Sequence, residues 1–192
     1  MKKQVLVYLL FFFIVVLTVC IGILIKSNHS INFDNEKYIL QYAKTTNSGR
    51  VVLNEYTRKN DPIQRWKQLI SINYYPYQKD SIVELSDYYI ENLQKTYGEK
   101  FKLLSDNKKG QVIIKSYIIV NRDYTEYNAV GFTQYKDAYY YMLFQKKYEY
   151  SNVDELKEQS MKLLRENSKY TGLIELKVKN NKPAPLLMTY EY

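Results

Sequence analysis

The chain has 192 residues and a formal net charge of +8, and 46% of its residues are hydrophobic, 16% aromatic and 25% charged. This balance is typical of a folded globular domain and excludes an intrinsically disordered chain. With 6 Gly, 4 Pro and 1 Cys, the sequence is neither collagen-like nor a disulfide-stabilised miniprotein. The part that follows the apolar N-terminus has the length of one domain.

The N-terminus contains an uncharged run of 21 residues from Val5 to Ile25. A helix of that length crosses a hydrocarbon core of roughly 30 Å. Lys2 and Lys3 precede the run, so the positive-inside rule favours a cytoplasmic N-terminus and an extracytoplasmic C-terminal domain. We therefore expect a single-pass protein of the cell membrane, with a bacterial envelope as its setting. The predicted parts are a signal-anchor in 1–27 with its helix at 5–25, a linker in 28–37, an α+β domain in 38–182 and a tail in 183–192.

Two kinds of processing are alternatives to a retained anchor. A cleaved signal peptide needs a small-x-small site after a shorter apolar run, and residues 25–30 do not offer one. Leu17–Cys20 resembles a lipobox, which would make Cys20 the lipidated residue, but Val19 stands where that signal has Gly, Ala or Ser. We favour the retained anchor, in which Cys20 is a small apolar residue of the membrane helix.

The first half of the domain predicts two strands and a helix. Residues 50–57 and 68–75 have the composition and alternation of strands, with a turn at Asp61–Pro62 between them. Ser81 and Glu84 have the spacing of a capping box, and apolar residues then recur every three or four positions. Gly98 stands where a helix C-terminus needs a positive φ.

The second half predicts three strands, a second helix and a last strand. Residues 111–120, 126–135 and 138–148 are rich in β-branched and aromatic residues, and in Tyr139–Phe144 both alternating faces are apolar, as in a central strand. A helix capped by Ser151 or Asn152 is expected next, and Leu173–Lys179 then alternates like a half-exposed or edge strand. The fold class is therefore α+β: an N-terminal single transmembrane helix, then one domain with an antiparallel sheet and two packed helices.

The order of these elements, with Val51–Tyr56, Asp61–Pro62, Trp66 and Leu69–Ile72, resembles small exported bacterial domains of the Mog1/PsbP-like type. The resemblance concerns the order of elements across residues 38–180. It implies a non-enzymatic accessory or assembly factor, and it transfers no functional residue.

Catalytic and metal-binding groups are scarce. The single His, His29, lies beside the apolar run and the single Cys, Cys20, lies within it, which excludes Cys/His nucleophiles and Cys- or His-rich metal sites. We expect no enzymatic activity and no cofactor. Acidic and basic residues interleave, as in Asp154–Glu158, so a nucleic-acid partner is not expected either.

Tyrosine is unusually frequent, with 22 residues. Tyr offers a large rigid surface with a polar tip, which suits binding surfaces. Tyrosines of the central strand and of the helix 81–97 are assigned to the core, and the candidate binding surface consists of Tyr74, Tyr75, Tyr77, Tyr124 and Tyr127. The function predicted is a membrane-anchored protein-interaction module that serves an envelope complex. The alternative is a glycan- or lipid-binding envelope module that uses these tyrosines. The sequence does not define an oligomeric state.

Overall fold

The computed structural model describes residues 12–13, 30–46, 51–76, 81–135, 138–150 and 152–180. Eight strands form one antiparallel sheet in the order β1-β2-β3-β4-β8-β7-β6-β5, and two long helices pack against it. The strands are β1 (Ser30–Phe33), β2 (Glu36–Thr46), β3 (Val51–Arg58), β4 (Gln68–Pro76), β5 (Phe101–Lys109), β6 (Val112–Val120), β7 (Tyr124–Tyr135) and β8 (Ala138–Glu149), and the helices are α1 (Ile82–Tyr97) and α2 (Val153–Asn180). The predicted α+β domain with an antiparallel sheet and two helices is thus confirmed.

The sheet consists of two four-stranded meanders that join where β4 pairs with β8. Ile70 of β4 faces Phe144 of β8 at the middle of this junction. Residues 139, 140, 142, 143 and 144 of β8 are all buried, so side chains on both faces of the strand are covered. The expectation of a central strand at Tyr139–Phe144 is confirmed.

Helix α2 covers one face of the sheet and forms the larger core. Leu163, Tyr170, Ile174 and Val178 lie on one side of this helix and are at most 3% exposed. They pack on inward residues of β6, β7 and β8. The helix approaches the sheet so closely that a Cβ placed on Gly131 of β7 would lie 2.6 Å from Cγ2 of Ile174.

The β1–β2 end of the sheet curves toward α2. The ring of Phe33 in β1 lies 4.7 Å from the ring of Phe144 in β8, although these strands are four positions apart in the sheet. In a flat sheet that separation would be about 19 Å. Lys169 of α2 also binds Asp34, in the turn between β1 and β2, at 2.8 Å. The α2 side is therefore concave and closed.

Helix α1 packs on the other face, over β5, β6 and β7. The predicted capping box is present: the backbone N–H of Glu84 donates to Oγ of Ser81 at 3.2 Å, and that of Ser81 donates to Oε2 of Glu84 at 2.7 Å. Gly98 ends the helix with a φ of +54°, a conformation that favours glycine. Local sequence signals therefore fix both ends of α1.

The strand predicted at Leu173–Lys179 is wrong, because these residues form the last two turns of α2. The alternation of Ile174, Leu176 and Val178 matched a strand, but in the helix Leu176 is 58% exposed while Ile174 and Val178 are buried. Ile174 and Val178 are four residues apart and so lie on one helical face. Packing against the sheet outweighs the β propensity of this segment.

Three strands were not predicted. β1 and the start of β2 lie within the segment 28–37, which the sequence predicted as a linker, so the sheet begins earlier than expected. β5 carries many polar and charged residues because it is an edge strand, exposed along most of its length. Such a strand lacks the apolar alternation on which a sequence prediction depends.

The predicted anchor helix at 5–25 lies, except for Phe12 and Phe13, outside the described residues, as does the tail at 183–192. Cys20 lies outside them too. Within the part of the chain that the structure describes, no helix combines the length and apolar character that a membrane span requires.

Candidate functional site

A cleft of about 490 Å³ runs along one flank of α1, between the helix and the sheet. We call it the aromatic cleft. None of the described residues that line it has a charged side chain. The lining residues are Tyr75, Leu85, Tyr88, Tyr89, Asn92, Leu93, Thr96, Tyr97, Phe132 and Tyr141.

The helix supplies one wall of the cleft along most of its length. Leu85, Tyr88, Asn92 and Thr96 follow one another at three- or four-residue spacing, which places them on one flank. The described apolar side chains of α1 are all at least partly exposed, and Tyr88 is 63% exposed. By contrast, α2 buries four large side chains almost completely. The flank of α1 therefore combines apolar and polar side chains and is left partly open by the described chain.

The floor of the cleft is a cluster of aromatic rings from β4, β7 and β8. The rings of Tyr75 and Tyr141 are stacked, with centroids 5.8 Å apart. Tyr141 also contacts Phe132 at 5.4 Å and Tyr89 of α1 at 5.5 Å. Because each ring is held by at least one other, the floor presents aromatic surface with little conformational freedom to lose on binding.

Burial keeps the hydroxyl groups near the floor protonated. The hydroxyl oxygens of Tyr89 and Tyr117 lie 2.7 Å apart. Burial raises the pKa of the Tyr89 phenol and that of the Tyr117 phenol, and the neighbouring Tyr89 adds to the effect at Tyr117. Burial also raises the pKa of Tyr141. These side chains serve as neutral hydrogen-bonding groups and not as bases at neutral pH.

Beyond the cleft, no described helix packs on the α1 side of β2, β3 and β4, although Ser71 and Asn73 of β4 are only 4% and 7% exposed on this side. Glu55 of β3 lies on the same side between Tyr42 and Ser71, its partners in the neighbouring strands. Burial raises the pKa of the Glu55 carboxyl group, and a hydrogen bond with Ser71 offsets this in part. The ion pairs of the described residues do not include Glu55. The carboxylate is thus partly desolvated and has no ion-pair partner among the described residues.

A second carboxylate, Glu126 of β7, lies on the same side of the sheet. Oε1 of Glu126 accepts a hydrogen bond from Nε2 of Gln145 at 2.9 Å. Its neighbour in β8, Lys147, instead places Nζ 3.9 Å from the ring centre of Trp66 and 5.2 Å from that of Tyr124. The lysine is held by aromatic rings through cation–π contacts. Outside the cleft, the α1 side of the sheet therefore carries polar and aromatic side chains together with the carboxylates of Glu55 and Glu126.

Ionisable groups also cluster on the α2 side, where they join the helix to the sheet. Nζ of Lys146 lies 2.9 Å from Oε2 of Glu166 and 3.0 Å from the hydroxyl of Tyr170. The hydroxyl of Tyr148 donates to the same carboxylate. Burial acts to raise the pKa of Glu166, but these hydrogen bonds outweigh it and lower the pKa. All these groups are bound to one another, as in a structural network.

The structure divides the tyrosines of the predicted binding surface between the two sides of the sheet. Tyr74 and Tyr127 belong to the α2 side, and Tyr127 is fully buried in β7 and not in a loop. Tyr75 lines the aromatic cleft. Tyr124 lies beside Lys147, and Tyr77 lies outside the described residues. The five residues therefore do not form one surface, and only Tyr75 belongs to the cleft.

The sequence prediction assigned Tyr88, Tyr97 and Tyr141 to the core, but the structure places all three at the cleft. Tyr97 is 39% exposed and Tyr141 is partly exposed. Leu85, Tyr88 and Asn92 are three and four residues apart, so they lie on one flank of α1. The apolar Leu85 and Tyr88 could have indicated from the sequence that this flank faces a cleft. Whether the sheet covers such a flank depends on tertiary packing, which helical periodicity does not specify.

The described residues contain no group of three or more His, Cys, Asp or Glu side chains placed to hold a metal ion. The arrangement at the cleft offers apolar and aromatic contact area with hydroxyl and amide groups at its rim. Such a lining supports recognition of another molecule by shape and burial.

The described chain is a small α+β domain with an aromatic cleft beside its first helix. A protein-family model matches residues 25–178, most of the chain, and the chain belongs to that family. Comparison with curated proteins gave no match.

Among solved structures there is a weak, fold-level resemblance to Mog1. A mutant of the protein Mog1 aligns with a TM-score of 0.45 and 11% identity over 71% of this chain and 93% of that chain. The Ran-binding protein Mog1p of Saccharomyces cerevisiae aligns with a TM-score of 0.44 and 10% identity over the same shares. The resemblance predicted from the order of elements is confirmed at this level.

Proposed function

We propose that this protein is a membrane-anchored, non-catalytic interaction module that binds another envelope protein through the aromatic cleft. The observation that carries the proposal is the aromatic cleft itself. There α1 leaves Tyr88 and Tyr97 exposed beside a floor of ordered aromatic rings. Exposed aromatic surface of this kind is typical of protein interfaces.

The membrane location is part of the proposal and follows from the sequence alone. The uncharged run from Val5 to Ile25 acts as a signal-anchor, with the N-terminus cytoplasmic and the domain extracytoplasmic. An anchor restricts the domain to the membrane surface, which raises its effective concentration toward another membrane component. A weak, reversible contact at the cleft is then sufficient for function.

The test is site-specific photo-crosslinking in intact cells. A photoreactive phenylalanine analogue replaces Tyr88, which is 63% exposed at the cleft. The same analogue replaces Leu164, which is 61% exposed on α2. We expect one protein to be captured reproducibly from position 88 and not from position 164. Equal capture from both positions, or none from position 88, contradicts the proposal.

A second candidate function has support from the dimensions of the cleft. About 490 Å³ with an uncharged aromatic lining is the size of an ordinary small-ligand site, which suits one unit of an envelope glycan or part of a lipid chain. Sedimentation of the full chain in detergent with isolated wall glycan, compared with Tyr75→Ala, separates the candidates. Binding that is lost in Tyr75→Ala supports the glycan function, and binding equal in both chains rejects this cleft as a glycan site.

A further inference from the structure

The residues that follow α2 indicate what occupies the aromatic cleft when no partner is bound, an inference that rests on the proposed function for the role of the cleft. Residues 181–192 follow Asn180 and lie outside the described residues. The segment Pro183–Tyr190 has no charged residue, and Leu186–Met188 is an apolar triplet. Such a triplet gains free energy when it is buried against other apolar surface.

The end of α2 and the floor of the cleft lie back to back across the sheet. Val178, two residues before the end of α2, packs on Gly131 of β7, where an added Cβ would lie 2.8 Å from Cγ2 of Val178. Successive residues of a strand point to opposite faces, so the next residue, Phe132, points to the α1 side, where it lines the cleft. The chain therefore leaves α2 directly behind the cleft.

The route from α2 to the cleft runs round one end of the sheet. β7 ends at Tyr135 and β4 ends at Pro76, and both residues pair with Ala138 of β8. Tyr75 therefore places one end of the cleft at this end of the sheet. The route is on the order of 25 Å, about 10 Å along β7 and about 15 Å across the sheet. Eight extended residues at roughly 3.3 Å each span this distance, so the chain after α2 can bring Met188 to Tyr75.

The chemistry of the aromatic cleft suits the tail better than that of a nearer cavity. The nearer cavity, of about 220 Å³ between α2 and β5, is lined in part by Lys109 and Glu175, which form an ion pair at 2.7 Å. None of the described residues that line the aromatic cleft is charged, and the rings of Tyr75 and Tyr141 are stacked there. Methionine sulfur makes favourable contacts with aromatic rings. An uncharged segment that contains Met188 therefore matches the aromatic cleft.

We propose that the tail, residues 183–192, occupies the aromatic cleft of its own chain, with Leu187 and Met188 against Tyr75 and Tyr88, and that a partner must displace it. The two prolines of the tail limit the conformations of the free segment, so less entropy is lost on docking. Because the tail and the cleft belong to one chain, the effective concentration of the tail is in the millimolar range. The tail then competes with every other occupant of the cleft, which favours a partner whose contacts outweigh those of the tail.

The test is photo-crosslinking of the purified full chain in detergent micelles. A photoreactive phenylalanine analogue at position 88 should form a link to residues 183–192, located by mass spectrometry, whereas the same analogue at position 164 should not. In a triple variant with Leu186→Ser, Leu187→Ser and Met188→Ser, the yield of this link should fall at least about fivefold, because the apolar contact is lost. The control Lys182→Ser, outside the apolar triplet, should leave the yield unchanged.

Three results of this experiment overturn the inference. They are the absence of a link from position 88 to the tail, an equal link from position 164, and a yield that the triple variant does not lower. A link between two copies also overturns it, because the tail would then occupy the cleft of another chain. A mixture of isotopically labelled and unlabelled chains reveals such a link.

Crosslinking in intact cells separates this inference from the proposed function. The triple variant should raise capture of the partner from position 88 at least about twofold, because the tail no longer competes. A partner captured equally from both chains overturns the inference and leaves the proposed function standing. A link to the tail with no partner captured, even from the triple variant, contradicts the proposed function and leaves the inference standing.

Discussion

Gly131 is the point at which helix α2 comes closest to the sheet. A Cβ at this position would lie 2.6 Å from Cγ2 of Ile174 and 2.8 Å from Cγ2 of Val178. Distances below 3.0 Å are essentially absent between such atoms, so the helix would have to move outward and lose packing. We expect Gly131→Ala to lower the free energy of unfolding by about 1–3 kcal/mol, as measured by urea denaturation.

Gly172 provides the matched control for Gly131. It lies within α2, and a Cβ there would have no neighbour within 4 Å. Alanine is favoured over glycine inside a helix by about 1 kcal/mol, so Gly172→Ala should raise the free energy of unfolding. If both substitutions shift stability in the same direction, close approach of α2 is not the reason for glycine at position 131.

Lys115 of β6 joins α1 to the edge of the sheet. Its side chain is 3% exposed, and Nζ lies 2.6 Å from Oδ1 of Asp87 in α1 and 2.7 Å from Oδ2 of Asp106 in β5. Burial acts to lower the pKa of Lys115, but hydrogen bonds to Asp106 and Asp87 outweigh it and raise the pKa. The lysine is therefore charged and fully paired at neutral pH.

We expect Lys115→Met to destabilise the domain by about 2 kcal/mol, because both carboxylates lose their cation. This is below the roughly 3–5 kcal/mol for a fully buried pair, since Asp87 and Asp106 are each about half exposed. The control is Lys95→Met, which removes a pair with Glu91 at 3.9 Å whose side chains are 73% and 65% exposed, and which should change stability by less than about 0.5 kcal/mol. Equal effects in thermal unfolding would show that the buried position of Lys115 contributes nothing.

At the scale of elements, the sequence predicts best those features that depend on residues close together in the chain. Ser81, Glu84 and Gly98 marked both ends of α1, and these signals act within one or two turns of the chain. In β8, apolar residues occupy both alternating faces of the strand. This pattern predicted a central strand, and both faces are buried in the structure. At the ends of α1, where the signals lie within one or two turns of the chain, the prediction agreed with the structure.

The elements that the sequence did not predict depend on contacts between distant parts of the chain. The end of α2 is helical because Ile174 and Val178 pack over Gly131, more than forty residues earlier. β5 has no apolar alternation because it is an edge. The aromatic cleft was missed for the same reason: Tyr75 and Tyr88 belong to different elements, and only the position of α1 on the sheet brings them to one surface.

At the scale of the whole molecule, tyrosine is the main aromatic residue of the core. Tyr38, Tyr117, Tyr127, Tyr140, Tyr148 and Tyr170 are all at most 4% exposed. Burial raises the pKa of Tyr140 from 10.0 to about 12 and that of Tyr170 likewise to about 12, with Glu166 adding to the effect at Tyr170. The folded protein therefore holds these phenolic protons more tightly than the unfolded chain does.

The domain should unfold in alkali. Because the unfolded chain loses each phenolic proton first, the stabilisation is complete below pH 10 and is lost as the pH rises from 10 through 12. For Tyr140, the rise of the pKa from 10.0 to about 12 corresponds to about 2–3 kcal/mol of stabilisation. Tyr140→Phe keeps the ring but has no proton to lose, so urea denaturation between pH 9 and 11 should show a shallower decline than in the parent chain. Gly172→Ala, which removes no titrating group, should keep the parent slope, and an equal slope for Tyr140→Phe would show that ionisation of this residue does not limit alkaline stability.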